Sequence, residues 1–266
     1  SMEKPSLPRS TTAWALLALQ GWGEGAEFLK QGREGLKGFQ REDGGVPLLA
    51  LQPAALWPGA LAVLAWHGVA EYEPAAARAI DRLLRVEIRF DPDSEQGHDA
   101  SIRGWPWIEA THPWVEPTAL SLLALSAAGK DEHSRFQQGL RLLLDRQLPE
   151  GGWNYGNTRV LGSTLRPLPG PTGLALMALA GRVEAAQLEK SLAYAEAQLP
   201  QARSPRTLGL LMMGLAAWKV DAQAPQALAC LAASPVNPHM SDHLAMALLA
   251  LAPGKFPGLA AAEGEP

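Results

Sequence analysis

Six short segments of this chain are near-copies of one another: TAWALLAL (12–19), GALAVLAW (59–66), TALSLLAL (118–125), TGLALMAL (172–179), LGLLMMGL (208–215) and LAMALLAL (244–251). Their last residues lie between 36 and 59 positions apart, the spacing of a structural repeat. Each is rich in Ala and Leu and apolar on nearly every side. A helix of that kind has no face to offer to water and must be covered all round. Between these segments lies a second type with charge on one side: AEFLKQGREGLKGFQ, AAARAIDRLLRVEI, HSRFQQGLRLLLDRQ, VEAAQLEKSLAYAEAQ and the weaker APQALACLAA. These read as amphipathic helices with one wet face. Gly, Pro, Asn and Asp collect in the connections, and no stretch alternates as a strand for long.

Apolar helices alternating with amphipathic ones make helical hairpins. An open stack of hairpins leaves its inner layer exposed at the ends, whereas a closed ring covers it on all sides. The expected fold is therefore all-α: an α/α toroid of five to six hairpins, apolar helices inside and amphipathic ones outside. It is expected to span 1–258 as a single domain, with 259–266 as a disordered tail.

Composition narrows the function classes. The net charge is −4, and Lys and Arg form no block, so nucleic acid is not an expected partner. No apolar run reaches the length that spans a bilayer. SMEKPSLPRS lacks the apolar stretch of a signal peptide, and the single cysteine, Cys230, suits a reducing compartment, so the chain reads as cytoplasmic. No phosphate-binding loop, dinucleotide fingerprint or Ser-His-Asp signature is present, and no cofactor is expected.

RLLLDRQLPEGGWNYG (141–156) carries Gln147, Gly152 and Trp153. It resembles the QW motif of the squalene–hopene and oxidosqualene cyclases, whose α/α toroid is shared with the β-subunits of protein prenyltransferases. FQREDGGV (39–46) is similar, with Val46 in the Trp position, and AEAQLP (195–200) keeps only a Gln. In the cyclases an Asp-x-Asp-Asp-Thr-Ala cluster at the start of an inner helix begins catalysis, its middle Asp protonating an alkene or epoxide. The third inner helix here begins Trp114-Val115-Glu116-Pro117-Thr118-Ala119. The resemblance puts Glu116 in the middle position and replaces the flanking acids with Trp114 and Pro117. Prenyltransferases hold zinc with Asp, Cys and His. Cys230 lies in an outer-helix segment, so no metal is expected.

The repeat itself supplies a second route to the site. The position of Glu116 recurs as Ser10, Trp57, Gly170, Arg206 and Asp242 in the other repeats. In a closed ring all six surround one mouth. Glu116 and Asp242, in repeats three and six, face each other across it. Glu116 also suits a helix start, where an acid complements the helix dipole, and Pro117 is expected as the first helical residue. The chain has nine Trp against five Phe and three Tyr. Trp105, Trp107 and Trp114 crowd into RGWPWIEATHPWVEPT, and Trp57 joins them by register. They read either as a plug in the mouth or as the aromatic wall of a ligand site, where indole faces stabilise a cation. An acid that must give up its proton needs a donor for the carboxylate it becomes. His112 and His98 are the nearby candidates, and Arg206 is a cation in the ring.

The expected function is a terpene-cyclase-like toroid holding an isoprenoid or other apolar ligand, or docking a protein partner. The alternative is a single-domain class II terpene cyclase with Glu116 as general acid, and with His112 and Asp242 in its catalytic set. Trp57, Trp105, Trp107, Trp114 and Arg206 are the expected ligand contacts in both. A carbohydrate-active barrel using Glu116 and Asp242 as a carboxylate pair is the third reading.

Overall fold

The computed structural model describes residues 8–49, 55–89, 97–221, 245, 249 and 255–259. Five helices form the inner layer: α1 (Arg9–Trp22), α3 (Trp57–Trp66), α5 (Val115–Ala127), α7 (Pro169–Leu179) and α9 (Pro205–Ala216). Four amphipathic helices form the outer layer: α2 (Ala26–Gly38), α4 (Glu73–Arg85), α6 (Ser134–Asp145) and α8 (Glu189–Gln198). Inner helices pack in chain order, α1 on α3, α3 on α5, α5 on α7, α7 on α9. Each outer helix packs on its own inner helix and on the next one. This is the α/α toroid that the repeat implied. Ala245 and Leu249, in the sixth apolar segment, are helical and buried. The only strands among the described residues are a two-residue pair, β1 (Arg159–Val160) and β2 (Ser163–Thr164), on an exposed loop.

The middle helices of the inner layer, α3, α5 and α7, are apolar all round because they are buried all round. Every residue from Pro58 to Trp66 is buried, as are those from Val115 to Leu125 and from Gly170 to Leu179. The lumen side of these helices is packed, not solvated. At the closest crossing, α7 on α9, the backbones touch. A side chain on Gly173 would begin 2.3 Å from the Leu210 carbonyl oxygen, so only glycine fits. At the far end of the ring, residues 255–259 cross from α1 to α5: Phe256 packs on Trp14, and Gly258 sits against Leu123. Leu259 is partly buried against the core, and 260–266 lie outside the described residues.

Buried indoles hold the two layers in register. The Trp153 backbone N–H donates to Thr172 Oγ1 at 2.9 Å, and its indole N–H donates to the Leu143 carbonyl in α6. Trp105 repeats the device one hairpin earlier. Its backbone N–H donates to Thr118 Oγ1 and its indole N–H to the Leu83 carbonyl in α4, each at 2.9 Å. Gln147 donates to Ser191 Oγ at 2.8 Å and so ties the end of α6 to the next outer helix. Gln40 does the same toward the Ala75 carbonyl, also at 2.8 Å, although Val46 replaces the tryptophan there. Trp153→Ala and Trp105→Ala are each expected to destabilise the fold by about 3–5 kcal/mol, the cost of an emptied indole site. The Phe variants leave only a carbonyl unpaired, costing about 1–3 kcal/mol. Urea denaturation followed by far-ultraviolet circular dichroism checks the order.

Candidate functional site

Five of the six repeat positions, Ser10, Trp57, Glu116, Gly170 and Arg206, lie in the first turns of inner helices, at the mouth those N-termini form. Glu116 lies in the first turn of α5, which begins at Val115. Pro117 is therefore the third helical residue, not the first as the sequence suggested. It is still well placed, because first-turn N–H groups have no intrahelical partner to lose. Glu116 is 5% exposed. Its Oε1 lies 3.8 Å from Arg206 Nη1, and the Arg206 side chain is one-third exposed (33%).

The register explains how α9 reaches α5 across α7. Gly170, at the same position on α7, has no side chain. A Cβ there would stand 3.8 Å from Arg206 Nη1, so the guanidinium passes over the start of α7. Three consecutive repeats thus contribute an acid, a gap and a cation. Burial pushes the Glu116 carboxyl above its ordinary range, and the Arg206 charge pulls part of the way back. Desolvation wins because the pair is long and its cation partly hydrated.

The tryptophans divide into two groups. Trp57 and Trp107 are partly exposed and meet edge to face with ring centroids 5.7 Å apart. The Leu56 N–H donates to the Trp107 carbonyl, which fixes this pair to the start of α3. Trp114 is partly exposed, and its ring lies 4.2 Å from that of His112, which is exposed. Trp105 is fully buried. Its ring packs on Gly139 of α6 and under the Arg135 guanidinium, 4.5 Å away. It stands between the layers and away from the mouth. His98 is partly buried in the loop before Arg103, and Asp242 lies outside the described residues.

Asn154 was not among the residues the sequence pointed to. The Asn154–Gly156 stretch runs along the start of α5: the Tyr155 carbonyl accepts from Val115 N at 2.9 Å, and Gly156 lies against Trp114. Asn154 is buried. Its Oδ1 accepts from Gly156 N, and its Nδ2 has no partner among the described residues. The signal for it was its place directly after Trp153. Among the described residues no group of three or more His, Cys, Asp and Glu is gathered as for a metal, and no helix is long and apolar enough to cross a membrane. Two surface grooves, of about 510 and 570 Å³, lie by the far ends of α3 and α5 and between α1 and α2. Glu116 lines neither.

Solved structures share this architecture. The ent-copalyl diphosphate synthase from Streptomyces platensis superposes with a TM-score of 0.59 at 18% identity, over 92% of this chain and 50% of that one. The type II terpene cyclase MstE from Scytonema gives 0.56 at 20% identity, over 87% of this chain and 69% of that one. An MstE variant in complex with its substrate, geranylgeranyl dihydroxybenzoate, gives 0.53 at 16%, over 93% and 69%. The chain shares the α/α toroid fold of these cyclases. It spans about half the length of the copalyl diphosphate synthase and about two thirds of MstE. No protein-family model and no curated protein matches it.

The raised Glu116 pKa has a signed consequence. The folded chain holds that proton more tightly than the unfolded chain. The resulting stabilisation is full below the ordinary value of 4.5 and is lost as pH rises through the folded value. Wild type is expected to lose stability relative to Glu116→Gln as pH climbs above 4.5, and Arg206→Ala to move that loss to higher pH. Thermal unfolding across the pH range checks both. A pH-independent gap between wild type and Glu116→Gln would overturn the assignment.

Proposed function

We propose that this chain is a terpene-cyclase-like toroid that binds an isoprenoid or other apolar ligand at the mouth formed by its inner-helix N-termini. One observation carries the reading. α3, α5 and α7 are packed on every face, yet Trp57, Trp107 and Trp114 keep part of their rings exposed around the end where a buried carboxyl and a cation meet. Indole faces suit a branched hydrocarbon, which gains by leaving water and needs no directional bonds. MstE, which shares the fold, has been solved with a geranylgeranyl substrate and with its product merosterolic acid A.

Catalysis is the second reading, favoured by the burial of Glu116. A carboxyl pushed upward by desolvation keeps its proton closer to neutral pH, as a general acid must. Protonation of a polyprenyl alkene by Glu116 would leave a carboxylate 3.8 Å from Arg206, which stabilises it. Trp57, Trp107 and Trp114 would shield the cation. His112, stacked on Trp114 at the rim, and Asp242 are the further acid–base candidates. The site lacks the flanking acids of the cyclase motif, so binding without turnover is the primary proposal. The chain is proposed as a single toroid domain working in the cytoplasm.

Titration calorimetry with farnesol and geranylgeraniol tests binding. Trp57→Ala and Trp107→Ala are each expected to weaken affinity about 5- to 30-fold, from roughly 1–2 kcal/mol of lost ring contact. Equal affinity in both variants sinks the mouth as the site. Incubation with polyprenyl substrates, read by mass spectrometry, separates the two readings. Cyclised product that disappears in Glu116→Gln establishes the acid. Bound but unchanged substrate establishes a binding protein.

A further inference from the structure

We propose that the Glu116–Arg206 pair is a proton-coupled receptor for the anionic head of an apolar ligand. The head takes over Arg206, and the Glu116 carboxyl it leaves behind binds a proton. This rests on the mouth being the ligand site.

The geometry supplies the exchange. The pair is separated by 3.8 Å, longer than a charge-assisted hydrogen bond, so the guanidinium is not locked to Glu116. Arg206 is one-third exposed while Glu116 is almost wholly buried, so an incoming anion reaches the cation and not the acid. Gly170 offers no side chain to hold the guanidinium where it lies over the start of α7. A planar guanidinium pairs with a carboxylate or a phosphate through two parallel bonds, a better partner than one oxygen at 3.8 Å.

Charge balance then follows. Glu116 is desolvated, and Arg206 is the cation that opposes the effect. α3 and α7 carry no titratable residue, α9 carries only Arg206, and α5 only Glu116. In the loop before α5, Glu109 is tied to Arg82, and His112 is exposed against Trp114. Asp242 lies outside the described residues, and Asp242→Asn tests it as the alternative proton acceptor. Once an anion neutralises Arg206, the buried carboxylate has lost its counter-charge, and one solvent proton converts it to the neutral acid. Carboxylate plus proton gives carboxyl, and the ligand's charge replaces that of Glu116 beside Arg206.

The test uses farnesoic acid and farnesol, which share a chain and differ in head charge. Calorimetry in two buffers of different ionisation enthalpy counts the protons. Farnesoic acid is expected to take up close to one proton near neutral pH and to bind up to about tenfold tighter per unit fall in pH. Farnesol should take up none. Glu116→Gln should abolish the uptake and flatten the pH dependence; uptake that persists in this variant would place the proton on the ligand's own head and overturn the proposal. Arg206→Met should bind both ligands alike. Asp242→Asn should leave the uptake in place, and its loss there would reassign the proton. Binding of both ligands with no uptake overturns the coupling and leaves the mouth as the site. No binding of either overturns both.

Discussion

A helix without a polar face exists in water only when other chain covers every side of it, and that requirement shapes this molecule. α3, α5 and α7 are buried along almost their whole length, so their side faces and lumen faces are both packed. The amphipathic outer helices supply the cover and meet solvent. A packed lumen leaves few places for polar groups. Helix ends are the exception, because their first N–H groups need partners and their dipoles favour negative charge. The acid, the cation and the partly exposed tryptophans accordingly sit together at the N-terminal end of the ring.

Electrostatics at that end is a contest between hydration and pairing. Two unit charges 3.8 Å apart attract by about 4 kcal/mol at an effective dielectric of 20, and less when one of them is partly hydrated, as Arg206 is. Burying a carboxylate costs several kcal/mol. The two are of similar size, and desolvation wins, so the carboxyl holds its proton above the ordinary range. A tighter ion pair would make Glu116 a permanent anion, and no cation at all would leave it a permanent neutral acid. The observed spacing keeps the carboxyl responsive to what binds Arg206.

The fold was legible because its signal is redundant. Six copies of one apolar octet leave little choice of period, and the inner helices contain them with only a few residues added at either end. α4 is displaced from its expected span because Pro74 initiates it early, just after a 3₁₀ turn at Ala70–Tyr72. The site was legible in register and not in detail. Counting back from the octets put Glu116, Gly170 and Arg206 at one level. Nothing in the sequence says that Arg206 reaches past α7 to Glu116, since that depends on the missing side chain of Gly170 and on the close approach of α7 to α9. Helix start residues also mislead by one or two positions, and Pro117 fits two slots of the first turn equally well.

Trp105 shows why proximity in sequence was a poor guide to tryptophan function. It sits two residues from Trp107 and pairs backbone to backbone with Trp114, yet its ring is buried while theirs are partly exposed. What distinguishes it is the glycine before it and a threonine on the following inner helix. A side chain at Gly104 would begin 2.6 Å from Thr118 Oγ1, and one at Gly152 would begin 2.9 Å from Thr172 Oγ1. Both glycines let a tryptophan backbone lie flat against an inner helix, and both indoles then point into the gap between layers, where one carbonyl accepts each N–H. Trp107 and Trp114 follow Pro106 and Pro113 instead, and proline gives no such approach. A Gly-Trp step followed by an inner-helix Thr therefore marks a tryptophan that holds the layers together, and a Pro-Trp step at the mouth marks one left with an open face. By that rule Trp107 and Trp114 keep partly exposed rings at the mouth, while Trp57, which follows Leu56, keeps one by its place as the first residue of α3.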